Sequence, residues 1–143
     1  MQYYRRGSHT TYDCTYHLVW ITKYRYPVLR GDIAHRVRDL VRQICAQYRV
    51  EIIRGSVGKD HVHLYLQVPP SLPVSRLVQY LKGKTSRKLQ LEFSSLKQRY
   101  WGKHLWAIGY FVRTTGNVTD KQVKDYIKNQ GKDDHYGDFE VLN

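Results

Sequence analysis

Between Thr11 and Thr22 the chain alternates, with Tyr12, Cys14, Tyr16, Leu18 and Trp20 on one face and Val19 and Ile21 on the other. A period of two predicts a β-strand, and apolar residues of both parities near its end predict cover on both faces there. Lys23-Tyr24-Arg25-Tyr26-Pro27 follows as a basic, aromatic turn. The period then changes. Ile33, Val37, Leu40, Val41, Ile44, Cys45 and Tyr48 recur at helical spacing, with Asp32 placed to cap the helix. Residues 50–57 and 61–68 predict two strands joined by a short turn at Gly58-Lys59-Asp60. Pro69-Pro70-Ser71-Leu72-Pro73 is a loop. A second helix begins at Ser75, runs through Leu77, Val78 and Leu81, and reaches about Phe93; residues 106–114 predict a fourth strand. Gly116-Asn117 breaks the chain, Thr119-Asp120-Lys121-Gln122 forms a capping box that starts a third helix, and Gly131 ends it.

The order β-α-β-β-α-β plus a terminal helix predicts an α+β fold of the ferredoxin-like (RRM-like, or split βαβ) plan, an antiparallel four-stranded sheet with helices on one face. The pattern shows no repeat, linker or low-complexity tract, so residues 1–143 are expected to form one domain. Its core spans about 11–115, a terminal helix about 119–131, and a polar tail 132–143.

Charge narrows the partner. The chain of 143 residues carries 24 Lys+Arg against 12 Asp+Glu, a net charge of +12. Residues 1–50 hold +6 and residues 71–104 hold +7, whereas residues 105–143 come to −1. An excess this large and this localised points to a polyanion, most often nucleic acid. Solvated lysines on helix faces are the plainer reading of any one segment. Two cysteines, Cys14 and Cys45, exclude a disulfide framework and a cysteine-rich zinc module. The apolar runs are too short to cross a membrane. Arg5-Arg6 is followed by polar Gly7-Ser8-His9-Thr10-Thr11, which is not a secretory signal, so the expected compartment is the cytoplasm.

The sharpest chemical feature is Asp60-His61-Val62-His63-Leu64. On a strand, His61 and His63 project from one face about 6–7 Å apart, while Val62 and Leu64 point to the other. Two imidazoles so placed can share a divalent metal, but alone they make an incomplete site and also fit the solvent face of a half-buried strand. On the last helix Tyr126 and Gln130 stand four residues apart on one face, near Val123 and Ile127. Read alone, this is an amphipathic helix with an aromatic at the core edge.

Together with Tyr16-His17-Leu18-Val19-Trp20, Lys23-Tyr24-Arg25, Leu81-Lys82-Gly83, Leu105-Trp106, Gly109-Tyr110-Phe111 and Tyr126-Ile127-Lys128-Asn129-Gln130, these segments resemble the single-tyrosine HUH transposases of the IS200/IS605 insertion-sequence family. HUH denotes His, hydrophobic, His, here His61-Val62-His63. The resemblance covers nearly the whole chain. One departure is Gly58-Lys59, where the family often has Met-Pro, expected to affect the turn and not the chemistry. The resemblance implies cleavage and rejoining of single-stranded DNA, with Tyr126 as nucleophile forming a 5′-phosphotyrosine and freeing a 3′-hydroxyl. It implies that His61, His63 and Gln130 hold one Mg²⁺ or Mn²⁺. It further implies hairpin-bearing element ends as substrate and a homodimer whose composite sites pair one subunit's histidines with the other's tyrosine.

The residue chemistry agrees with that assignment. Three neutral ligands leave the cation's charge undiminished for a scissile phosphate, and imidazoles favour Mn²⁺ over Mg²⁺. A phenol of pKa about 10 needs help to attack at neutral pH, yet it leaves well, so phosphotyrosine conserves the broken phosphodiester's energy. No nucleotide-triphosphate loop is needed, and none is present in the sequence. Arg25, Lys82, Lys84, Arg87 and Lys88 are candidate phosphate contacts, with Arg30, Lys97 and Arg99 as further ones; Trp101, Trp106, Tyr24, Tyr26 and Tyr110 are candidates to stack on bases. Three alternatives stand beside this reading. A non-catalytic RNA-recognition module shares the element order but makes no use of the His pair or of Tyr126 and Gln130. A carboxylate-metal nuclease needs an acidic cluster, and only six acidic residues precede residue 113. A sister HUH endonuclease acting at palindromic repeats or replication origins shares the whole catalytic kit.

Overall fold

The computed structural model describes residues 5–6, 10–114 and 120–130, and in the last helix the side chains of residues 121 and 123–128. A four-stranded antiparallel sheet organises them. Its strands are β1 (Thr15–Ile21), β2 (Glu51–Val57), β3 (His61–Gln67) and β4 (Phe111–Arg113), in the spatial order β2-β3-β1-β4. Helix α1 (Gly31–Gln47) connects β1 to β2, and α2 (Val74–Glu92) lies between β3 and β4. The order is that of a split βαβ unit. Arg5–Arg6 and Thr11–Tyr12 pair in a separate two-stranded ribbon, so the long alternating run of the sequence divides around Asp13-Cys14.

The two parities of β1 build two different interiors. Leu18 and Trp20 join Val62, Leu64 and Leu66 of β3 in the main core, which α1 covers with Val37, Leu40, Val41 and Ile44, and α2 with Leu77, Val78, Leu81 and Leu89. Trp20 meets Trp106 edge to face at 5.8 Å, and the Trp106 indole N–H donates to Thr85 Oγ1 at 2.8 Å, satisfying a polar atom buried by the packing. Val19 and Ile21, of the other parity, pack under α4 (Asp120–Gln130), meeting Val123 and Ile127. The expectation of cover on both faces is met, but the helices are not all on one side: α1 and α2 take one face of the sheet and α4 the other.

Other departures have local causes. Asp32 is not the cap of α1; Arg30 occupies that position without a side-chain bond, and Asp32 sits in the first turn, where a carboxylate still favours the helix dipole. A short helix, α3 (Ser94–Arg99), follows α2 after a break at Phe93. The fourth strand keeps only three residues, because Gly109 takes a left-handed φ of 90° and interrupts it; Trp106 pairs with Thr22 as an isolated bridge instead. The Gly116-Asn117 break, Thr119, Gly131 and the tail lie outside the described residues. Among the described residues no helix is long and apolar enough to cross a membrane.

Among the described side chains of α4, Val123 and Ile127 are the ones buried against the sheet. Ile127→Ala removes the fully buried one. Amide exchange across residues 120–130 is expected to accelerate by about thirtyfold or more, from a truncation cost of at least about 2 kcal/mol, while β1 and β3 keep their protection. Hydrogen-exchange mass spectrometry reads both regions in one experiment.

Candidate functional site

The α4-facing side of the sheet carries the titratable residues. Antiparallel register sets Ile21 opposite His61 and Val19 opposite His63, and Ser56 of β2 opposite His63 from the other side. His61 is fully buried and His63 retains 8% exposure. His61 Nδ1 lies 2.9 Å from Asp60 Oδ1, the geometry of an Nδ1–H donating to a carboxylate, which makes Nε2 the nitrogen able to ligate a metal.

Asp60 is held in turn. The Arg25 Nε donates to Asp60 Oδ2 at 3.0 Å, and its Nη2 stands 2.9 Å from the same oxygen. Burial alone would raise the Asp60 carboxyl, but the His61 hydrogen bond and the Arg25 guanidinium outweigh it and hold the group below its usual range. Arg25 reaches this position through a tight turn. Tyr24 and Arg25 both take left-handed φ values, 61° and 51°, and the turn is laced to its surroundings by Thr22 N–H to Asp60 O and Lys23 N–H to Leu105 O, at 2.9 and 2.8 Å. Two consecutive non-glycine residues in that region are strained, and the surrounding bonds hold them there. Arg25 Nη1 also donates to the Ile127 carbonyl of α4 at 3.4 Å. A continuous chain of contacts therefore runs from α4 through Arg25 and Asp60 to His61.

Gly58, opposite His61 in the hairpin, is part of the same seat. A Cβ at Gly58 would stand 2.3 Å from His61 Cε1 and 2.8 Å from both ring nitrogens. The departure at Gly58-Lys59 thus bears on the seat of the His61 ring as well as on the turn, since the imidazole lies where a Cβ at 58 would be.

Tyr126 sits on the α4 face turned to the sheet, half-buried, with its ring 5.5 Å from that of Phe111. Burial pushes its phenol up to about 12. The structure thus brings Tyr126 to the sheet face that bears His61 and His63. Gln130 follows one turn later on α4, its side chain outside the described set. Among the described residues no group of three or more His, Cys, Asp or Glu is arranged to hold a metal ion. The donor chemistry fits a hydrated divalent cation. The Ser56 hydroxyl, on the same face opposite His63, is buried at 3% exposure and has no hydrogen-bond partner among the described residues, as expected of a group that meets a bound water or anion.

The expected phosphate contacts divide. Arg25 is buried at 6% exposure and bonded to Asp60 rather than presented at the surface. Lys84 turns to α1, its Nζ 3.0 Å from Tyr48 Oη and over the Tyr48 and Tyr80 rings. Lys82 donates to the carbonyls of Ala107 and Gly109 at 2.7 and 3.0 Å, and burial lowers its ammonium below the usual value. Arg87 and Lys88 are exposed. Lys82 and Arg87 line an open groove of about 890 Å³ with Lys23, Lys97 and Lys103, and no acidic residue lines it. Of the aromatic candidates, Trp101 and Tyr24 are exposed, whereas Trp106 belongs to the core.

The family profile for IS200-like transposases matches residues 10–130. The transposase of insertion sequence element IS200 from Salmonella typhimurium is 37% identical over 131 residues, spanning 92% of this chain and 86% of its own length. The ISDra2 transposase TnpA of Deinococcus radiodurans is 36% identical over 126 residues, spanning 88% of this chain and 90% of its own. A solved structure from Deinococcus radiodurans R1, assigned as a transposase, superposes with a TM-score of 0.81 at 37% identity over 89% of this chain and 98% of that one. The REP-associated tyrosine transposase bound to a REP hairpin superposes with a TM-score of 0.58 at 18% identity, over 90% of this chain and 68% of that one, a likeness of fold. Fold and matches together define a DNA-processing enzyme of the transposase class. The chain belongs to the IS200-like, single-tyrosine transposase family.

Because the His61 ring occupies the space over Gly58, Gly58→Ala is expected to swing the imidazole off Asp60. Side-chain ¹H–¹⁵N spectra should show His61 losing its Nδ1–H tautomer while the fold signals persist. An unchanged His61 spectrum would mean that the seat tolerates a methyl group.

Proposed function

We propose that this transposase cleaves and rejoins single-stranded DNA at insertion-sequence ends through a covalent Tyr126 intermediate. The observation that carries the reading is the docking of the Tyr126 helix on the sheet face that bears His61 and His63, with Arg25 and Asp60 linking helix to histidine. Tyr126 Oη attacks the scissile phosphorus and gives up its proton. The P–O3′ bond breaks, the departing oxygen takes a proton and becomes a 3′-hydroxyl, and the 5′ phosphate stays on Tyr126. Attack by a DNA 3′-hydroxyl reverses the step, with the phenol as leaving group. His61, His63 and Gln130 would hold one Mg²⁺ or Mn²⁺, which when bound supplies Lewis-acid polarisation of the phosphate. Asp60 fixes the His61 tautomer, and Ser56 offers a hydroxyl to a phosphate oxygen or bound water. The cation-lined groove beside α2 and α3 is the candidate track for the flanking strand, whose phosphates it can neutralise.

With single-stranded DNA carrying the element's own ends, wild type is expected to form an adduct on a denaturing gel that carries label from the 3′ side of the cut. Tyr126→Phe should bind DNA but form no adduct. Chelation, or His61→Ala with His63→Ala, should stop cleavage and spare most binding. An adduct that survives Tyr126→Phe would sink the assignment of the nucleophile.

The active form is proposed to be a homodimer with composite sites. In the single chain α4 lies on its own sheet through Val123 and Ile127, a small apolar contact that a second copy of the sheet can offer equally. A His61→Ala/His63→Ala chain and a Tyr126→Phe chain, each inactive alone, should regain one working site when co-expressed with different tags and purified as heterodimers. A verified heterodimer that leaves the DNA intact would place each site within one chain.

A further inference from the structure

We infer that His17 is a positioning residue for His63, doing for the second imidazole what Asp60 does for the first. The inference rests on reading His61 and His63 as the metal-binding pair. His17 lies on β1 with the parity of Val19 and Ile21, so it faces the site rather than the main core. Register places it opposite Tyr65 and diagonal to His63, a spacing that an aromatic side chain spans. Its plane is set by Tyr65, against which it stacks at 4.2 Å with 11° between the rings. From that stack His17 Nδ1 stands 3.4 Å from His63 Nε2, the long end of hydrogen bonding, with the rings tilted by 44°.

A neutral imidazole has one N–H donor and one acceptor nitrogen. A contact from Nδ1 to Nε2 therefore couples the two tautomers: His63 keeps a lone pair for a metal, at Nδ1, when its Nε2–H donates to His17 Nδ1. His61 has its tautomer fixed by a carboxylate, and His63 has Ser56 opposite it and His17 beside it. His17 Nδ1 is within hydrogen-bond reach of a His63 ring nitrogen. Partners of this kind orient a metal-binding imidazole, and their loss commonly weakens metal binding by about 10–100-fold. The contact here is long and neutral, which places the expected effect near the lower limit.

The experiment uses the full chain. Histidine tautomers are read from side-chain ¹H–¹⁵N spectra without metal, and Mn²⁺ affinity is read by calorimetry. The proteins are wild type, His63→Ala, His17→Phe, which keeps the stack on Tyr65 but has no ring nitrogen, and His17→Gln, whose amide oxygen restores an acceptor for a His63 N–H. His63→Ala should abolish measurable Mn²⁺ binding. His17→Phe should weaken it about tenfold and shift the His63 ring nitrogens while leaving those of His61 in place. His17→Gln should recover most of the affinity. His17→Leu replaces the Phe variant if that chain does not fold. A His17→Phe protein with wild-type affinity and an unmoved His63 spectrum overturns the inference and leaves the metal site standing. Mn²⁺ binding that is absent in wild type, or unaffected by His63→Ala, overturns the metal reading and the inference with it.

Discussion

The buried ion pair between Arg25 and Asp60 is the constraint around which the functional face is arranged. Both side chains are almost wholly out of water, at 4% and 1% exposure. Breaking such a pair from one side strands a charge and costs roughly 3–5 kcal/mol. That penalty accounts for the strained turn at Tyr24 and Arg25: the backbone accepts two left-handed residues because the guanidinium has nowhere cheaper to go. It also explains why the turn after β1 and the β2–β3 hairpin are stitched together by backbone bonds, Thr22 to Asp60 and Leu29 to Lys59. The pair fixes three things together: the tautomer of His61, the relative place of two loops, and a donor aimed at the last turn of α4.

The sheet divides stability from function by parity. Residues facing α1 and α2 make a continuous apolar core, and losing any large one leaves a cavity. Residues of the other parity make a smaller cluster of Val19, Ile21, Val123 and Ile127, and surround it with His17, His61, His63 and Ser56. Two buried aliphatic side chains on α4 contribute about 1.5–3 kcal/mol each. An eleven-residue helix is marginal by itself in water. Helix α4 is therefore held loosely compared with the rest of the fold. A loosely held helix is the element a composite dimeric site requires, because exchanging it between copies sacrifices little.

The architecture was legible because it rests on periodicity. Alternation in β1 and β3, the stripe of α1 and the turn at Gly58-Lys59-Asp60 all survive, and so does the placement of His61 and His63 on one face. Less was legible where one residue serves a distant partner. Arg25 reads in sequence as one more cation in a basic run, and only the fold shows that its partner is Asp60, 35 residues away. His17 carried a weak signal, its shared parity with Val19 and Ile21, but parity does not reveal a diagonal neighbour on another strand. The sequence shows Gly58 only as a turn residue, whereas the fold sets the His61 ring against it, so the space over Gly58 matters too. The shortened β4 follows from a single positive φ at Gly109, which alternation cannot register.

The electrostatics of the docked helix bear on when chemistry can start. Burial against Phe111 pushes the Tyr126 phenol up to about 12. The docked phenolate is therefore costlier than in water, and at neutral pH the Tyr126 phenol rests protonated. In the proposed reaction, activation must then come from charge that arrives with the substrate complex. Neutral protein ligands suit that task, since imidazole and amide donors leave a cation's field unspent, whereas carboxylates would cancel it. The Asp60 carboxylate bonds the His61 ring through Nδ1, where it orients the imidazole and would not itself ligate the proposed cation. The apolar setting that keeps Tyr126 inert at rest is also the low-dielectric setting in which a nearby cation acts most strongly. One arrangement thus supplies both the resting protection and the means to lift it.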